Sequence, residues 1–325
     1  MTPAYRPDID GLRAVAVLSV VLFHLGLPAF SGGYVGVDVF FVISGYLITT
    51  IIVREIAAGD FTVTGFYERR FRRILPALAA VILASLVAGW FLLDPRSLVN
   101  LAESAAATAL FSSNFLFYSE TGYFDVAAEL KPLLHTWSLA VEEQYYILFP
   151  LLLLLIARRD TRHYLRWLLP LGALSFLASA LVTRSNPEAA FFLIHTRAWE
   201  LFLGSLLALN AVPPLRARAA RESVALGGLV LIGYAVFRFD HATVFPGTAA
   251  AIPTLGCAML IHAGAGEGST VSRLLSLRPV VFIGLISYSL YLWHWPVIAY
   301  TRIYFITEPP PLAAPLMLVT MFALA

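Results

Sequence analysis

The chain has 325 residues, of which 59% are hydrophobic and 13% charged, with a mean hydropathy of +0.80. Soluble domains carry about a quarter charged residues, so this composition excludes a water-soluble globular protein. The net charge of +2 is spread between apolar runs rather than gathered on one surface, so no nucleic-acid partner is expected.

In chain order, apolar runs fall near positions 9–29, 34–53, 74–93, 105–118, 139–157, 166–183, 195–211, 223–239, 248–263, 280–300 and 312–325. A helical crossing of the ~30 Å hydrocarbon core needs ~20 apolar residues. The expected fold is therefore all-α, a polytopic transmembrane helix bundle of 10–11 helices embedded in the lipid bilayer. The first run carries Asp8, Asp10, Arg13 and His24 and lacks a small-residue cleavage site after it, which fits a first helix better than a signal peptide. Lys131 is the only lysine among 22 basic residues. The arginine bias suits phosphate-binding forks, but a GC-rich genome is the favoured explanation. Cys257 stands alone, so no internal disulfide forms.

Basic loops set the orientation, because Lys and Arg accumulate on the cytoplasmic side. Arg54 to Arg73, Arg158 to Arg166, Arg216 to Arg221, and Arg273 with Arg278 are all expected inside, with a cytoplasmic N-terminus. Parity fails once. Keeping both Arg73 and Arg158 inside needs an even number of crossings between them, so the run 105–118, broken by Glu103, Ser112, Ser113 and Asn114, is read as re-entrant or as paired with an unseen crossing. Residues 1–311 are read as one membrane domain and 312–325 as the start of a further transmembrane helix, with the natural chain expected to continue past Ala325.

Ionisable side chains within spans are expensive and are functional candidates. Arg13 and His24 lie eleven residues apart, on one helix face and ~16 Å apart along the axis. Asp38, at the outer start of the second helix, is expected to approach His24, where a carboxylate would fix the imidazole tautomer for general-base work. Snorkelling for Arg13 and packing or capping for His24 and Asp38 are the competing structural readings.

Glu68-Arg69-Arg70-Phe71-Arg72-Arg73 precedes the third helix and reads either as an anchor at anionic lipid or as a phosphate clamp. His135-Thr136-Trp137-Ser138-Leu139-Ala140-Val141-Glu142-Glu143 opens the run at 139, where adjacent carboxylates point ~100° apart so that only one faces the region of greatest burial. His294 sits among aromatics in Tyr288 to Pro296. These two segments suit either an interfacial aromatic belt or a sugar-binding wall. No Gly-rich phosphate loop, zinc spacing or strand-turn-helix nucleophile occurs, and no metal is expected.

Taken in order, five segments resemble the acyltransferase-3 family of membrane acyltransferases, particularly the polysaccharide O-acetyltransferases: Arg13 with His24, Gly36 to Gly45, Arg69 to Pro76, His135 to Tyr146, and Tyr288 to Pro296. The resemblance covers nearly the whole chain. It implies acetyl-CoA as a cytoplasmic acyl donor, an envelope glycan such as lipopolysaccharide O-antigen as acceptor, a bacterial inner-membrane location, essential roles for Arg13 and His24, and in many relatives a C-terminal extracytoplasmic SGNH-like domain.

The expected mechanism places the acyl-CoA phosphates on the arginines 69, 70, 72 and 73, with Arg13 deeper at the thioester. His24 acts as base or acyl carrier and Asp38 orients it. His135, Trp137, Glu142, Glu143 and His294 bind the acceptor, with Glu142 and His135 at the outer mouth. A transporter, and a non-catalytic glycan- or lipid-binding membrane protein, are the readings from other classes.

Overall fold

The structure is a computed structural model that describes residues 5–121, 128–160, 163–305, 310 and 312–325. The boundary expected at position 311, and positions 161 and 162 of the basic loop, lie outside the described residues.

All regular structure among the described residues is helical. The helices are α1 (Pro7–His24), α2 (Gly36–Ala58), α3 (Val63–Leu92), α4 (Pro95–Ala109), α5 (Ser113–Ser119), α6 (Thr136–Asp160), α7 (Tyr164–Ser185), α8 (Pro187–Phe192), α9 (Ile194–Ala208), α10 (Arg218–Arg238), α11 (Ala251–Ala263), α12 (Thr270–Leu275), α13 (Arg278–Phe305) and α14 (Ala313–Leu324). Among the described residues, six of these segments are long and apolar enough to cross a membrane: α2 with the turn before it, α3, α6, α7, α10 and α13. The chain is thus an all-α, multi-pass membrane protein.

The run at 105–118 resolves into two short helices. α4 has 15 residues and α5 has 7, joined through Phe111 at φ 52. At 1.5 Å per residue α4 rises ~22 Å and α5 ~10 Å, so neither spans the hydrocarbon alone. α3 begins eleven residues before the apolar run 74–93 and takes the four arginines, expected to precede the helix, into its second and third turns. Thr62 caps its start by accepting from the Gly65 N–H, and Asp94 caps α4 by accepting from the N–H groups of Arg96 and Ser97, with Pro95 at the first helical position.

The chain divides into two compact units, to both of which α6 and α13 contribute residues. Unit 1 comprises residues 1–58, 148–191 and 195–287. Its core joins Ile9, Leu12 and Ala16 of α1 to Val39, Val42 and Ile43 of α2, Ile232 and Val236 of α10, and Cys257 and Leu260 of α11. α2 touches α9 backbone to backbone: a Cβ on Gly45 would sit 1.9 Å from the Leu201 carbonyl oxygen, and one on Gly204 would sit 2.0 Å from that of Val42. Only glycine permits this approach, and buried Thr49 and Ser205 exploit it with a 2.7 Å hydroxyl-to-hydroxyl bond.

Unit 2 comprises residues 59–147, 192–194 and 288–325. Leu78 and Val81 of α3, Leu101 and Ala105 of α4, Leu133, Leu139 of α6 and Leu292 of α13 form its core. Tyrosine hydroxyls set the helix register. Tyr288 donates to the Ile74 carbonyl at 3.1 Å and Tyr300 to that of Ser85 at 2.5 Å, so this part of α13 runs parallel to α3. Tyr67 near the start of α3 donates to the Ile147 carbonyl of α6 at 2.7 Å.

Candidate functional site

In unit 1, α1 is continuous from Pro7 to His24, so Arg13 and His24 hold the one-face, ~16 Å relationship that their spacing implies. Arg13 pairs with Asp10 at 3.3 Å, one turn earlier on its own helix. Tyr5 donates to the other oxygen of the same carboxylate at 2.7 Å. His24 is half-buried at the last turn of α1, beside Phe23.

Asp38 is completely buried, but its carboxylate is held by Arg197 and not by His24. Arg197 Nη2 donates to Asp38 Oδ1 at 2.9 Å and to Glu200 Oε2 at 3.2 Å, and Arg197 Nε lies 3.0 Å from Glu200 Oε1. The rings of Phe41, Phe245 and Phe191 surround the guanidinium at 5.5, 5.6 and 5.9 Å. A guanidinium suits such a site because its delocalised charge is weakly hydrated and attracted to aromatic faces. The expected Asp38–His24 pair is therefore corrected, because proximity along the chain lost to a stronger cationic partner 159 residues away. Arg197 and Glu200 were missed in the sequence. Their signal was present as two opposite charges at i, i+3 inside the run 195–211.

In unit 2 the basic segment splits by burial. Arg69, Arg72 and Arg73 are exposed, and Arg72 pairs with Glu68 at 2.7 Å in open surroundings. Arg70 turns inward, its guanidinium 5.9 Å from the Phe66 ring and within electrostatic range of Glu142, Glu143 and Tyr146. As the ~100° divergence requires, Glu143 is buried at 3% exposure while Glu142 is half-buried and accepts a short hydrogen bond from the Tyr146 hydroxyl.

The placement of Glu142 at an outer mouth is also corrected. The Tyr67–Ile147 bond and the field of Arg70 put Glu142 and Glu143 at the end of unit 2 that carries the arginines. α6 antiparallel to α3 produces this, since seven residues into α6 the chain has already descended ~10 Å.

Further along α6 toward its start, His135 meets His294 edge to face, with ring centres 5.4 Å apart. Both are buried. Tyr291 completes the cluster: its hydroxyl lies 2.6 Å from Ser138 Oγ and donates to the His135 carbonyl at 3.1 Å, while His294 Nδ1 lies 2.5 Å from the Tyr291 carbonyl oxygen. Trp137 packs edge-on against Phe192. Two motifs more than 150 residues apart in sequence thus form one polar layer in this unit, and Tyr291 and Ser138 join the residues singled out beforehand.

No group of three or more His, Cys, Asp or Glu capable of holding a metal ion occurs among the described residues. The groups suited to an anionic ligand are Arg69, Arg72 and Arg73, whose exposed guanidiniums can fork onto phosphate oxygens.

Comparison with known proteins gives the family. A family model described as "Acyltransferase domain" matches residues 6–325. The chain is 33% identical to the peptidoglycan O-acetyltransferase OatA of Listeria monocytogenes, over 99% of this chain and 54% of that protein. It is 32% identical to the O-acetyltransferase OatA of Staphylococcus aureus, over 95% of this chain and 53% of the relative, and 33% identical to the putative peptidoglycan O-acetyltransferase YrhL of Bacillus subtilis, over 90% and 49%. The chain spans about half the length of these curated relatives. No solved structure matches it. With a family match over residues 6–325, and with the motifs that carried the resemblance lying on a multi-pass helical framework, the chain belongs to the acyltransferase-3 family of membrane acyltransferases.

Proposed function

We propose that this protein is the membrane part of an O-acetyltransferase that moves an acetyl group from a cytoplasmic acyl-CoA to a hydroxyl of a cell-wall glycan. Peptidoglycan replaces lipopolysaccharide as the favoured acceptor, because relatives in Listeria and Bacillus are named for peptidoglycan. The family match favours this reading over the transporter and the non-catalytic binding protein.

The observation that carries it is the split of the basic segment: three exposed guanidiniums on α3, and Arg70 turned in toward Glu142, Glu143 and Tyr146. An anchoring segment alone has no need for the inward arm. Arg69, Arg72 and Arg73 bind the phosphates of the acyl donor, and Arg70 holds the two carboxylates in register with that end of the unit. His24 on α1 is the general base for the acceptor hydroxyl, or takes the acyl group itself, and Arg13 supplies positive charge on the same helix face. The basic loops support a plasma-membrane topology with the N-terminus inside.

The experiment is transfer of radiolabelled acetyl from acetyl-CoA to envelope glycan in membranes carrying the intact gene product, beside His24→Ala at equal abundance. Label that depends on His24 supports the reading. Equal label in both, or none with folded protein and a range of acceptors, overturns it.

A further inference from the structure

A cavity of about 270 Å³ opens in unit 2 between the end of α3, α4, the segment before α6 and the end of α13. It lies far from the arginines. The helix from Arg69 to Leu92 is unbroken, which at 1.5 Å per residue puts the two ends ~34 Å apart, more than the hydrocarbon thickness. With the arginines cytoplasmic, the cavity faces the cell exterior.

Its lining is mixed. Leu92, Leu101, Pro132 and Ile303 are among its apolar lining, and Ser97, Asn100, Glu120, Lys131 and Arg302 supply donors and acceptors. The charges balance, with Lys131 and Arg302 against Asp94 and Glu120. Lys131 pairs with Glu120 at 2.8 Å, and Arg302 pairs with Glu129 at 2.9 Å. The hydroxyl of Ser97 and the N–H groups of Ser97 and Arg96 hold the Asp94 carboxyl below the usual carboxylate range, so Asp94 enters the lining ionised. The exposed Asn100 side-chain amide makes no hydrogen bond within the described residues.

Each charged lining residue already has an opposite charge or a hydrogen-bonded cap, so nothing in the lining favours an anion such as a phosphate. Donors and acceptors together with apolar side chains in one lining suit a ligand whose every edge both donates and accepts, while its ring faces are C–H surfaces. That is an uncharged sugar ring. The volume lies just below the ~300–1,000 Å³ usual for small-molecule sites, enough for about one ring with its neighbours outside.

We infer that this cavity is a saccharide subsite that seats one uncharged ring of a glycan chain on the face opposite the arginine segment. The inference deepens the proposed function by locating where the acceptor is gripped, and it rests on that reading only for the identity of the physiological glycan.

The test is equilibrium binding of the neutral tetrasaccharide of β-1,4-linked N-acetylglucosamine to the full chain in nanodiscs, without acyl-CoA, against a hyaluronan tetrasaccharide as the acidic probe. Saturable binding of the neutral probe is expected, with affinity reduced ~5-fold or more in Asn100→Ala by loss of one hydrogen-bonding group. Binding should be abolished in Asn100→Trp, which fills the cavity, with unfolding temperature and acetyl-CoA affinity unchanged in both variants. No saturable binding by the wild type, equal binding by Asn100→Trp, or preference for the acidic probe would each overturn it. Because binding is read without the acyl donor, failure of acetyl transfer leaves this result intact, and active transfer with unaltered Asn100→Trp binding rejects the subsite alone.

Discussion

Arg197 Nη2 lies 2.9 Å from Asp38 Oδ1, with both side chains shielded from solvent and three aromatic rings around the guanidinium. The pair fastens the start of α2 to the start of α9, and the glycine crossing at Gly45 and Gly204 holds the same two helices one to two turns further on.

Removing one partner of a buried pair strands the other, at a cost of ~3–5 kcal/mol. Arg197→Leu strands both Asp38 and Glu200 and is therefore expected to lower the thermal unfolding temperature of detergent-solubilised protein sharply. Asp38→Ala, which leaves Arg197 paired with Glu200, should cost less than Arg197→Leu. If Asp38→Ala unfolds with the wild type, the ion pair does not hold α2 to α9.

His24 is half-buried on the last turn of α1 and should behave differently. His24→Ala is expected to reduce acetyl transfer by ~10²–10⁴-fold, the range for a general acid–base group, while the unfolding temperature stays near that of the wild type. Parallel loss of activity and stability would reassign it to packing.

Exchanging Arg69, Arg72 and Arg73 together for Gln should weaken acetyl-CoA binding by ~10-fold or more, since each phosphate contact is charge-assisted, and should flatten its dependence on salt. Arg72→Gln alone should change stability by only ~0–1 kcal/mol, because its pair with Glu68 is exposed. Undiminished affinity in the triple variant, measured by titration calorimetry, would mean that these arginines serve the lipid surface.

A methyl group at Gly204 would meet the Val42 carbonyl oxygen at 2.0 Å, and backbone cannot swing aside as a side-chain end can. Gly204→Ala is expected to destabilise by ~1–3 kcal/mol through forced separation of α2 and α9. Gly26→Ala makes a useful contrast: no atom lies near its Cβ position, but its φ of 78 strains any other residue. Its loss should be confined to ~1–2 kcal/mol. Unfolding monitored by tryptophan fluorescence separates the two.

The sequence by itself determined the membrane class, the apolar segments, the arginine segment and the family, because transfer into lipid and positive-inside bias act residue by residue along the chain. It also determined that only one of Glu142 and Glu143 would be deeply buried, which follows from helix geometry. Only the tertiary structure decided that Asp38 pairs with Arg197, that Glu142 and Glu143 sit at the Arg70 end, and that His135 meets His294. Those outcomes depend on which helices pack together and in what direction they run. The side chains involved are separated by dozens to hundreds of residues, and an ionisable group buried in lipid takes the best-placed opposite charge in space, wherever it lies in the sequence.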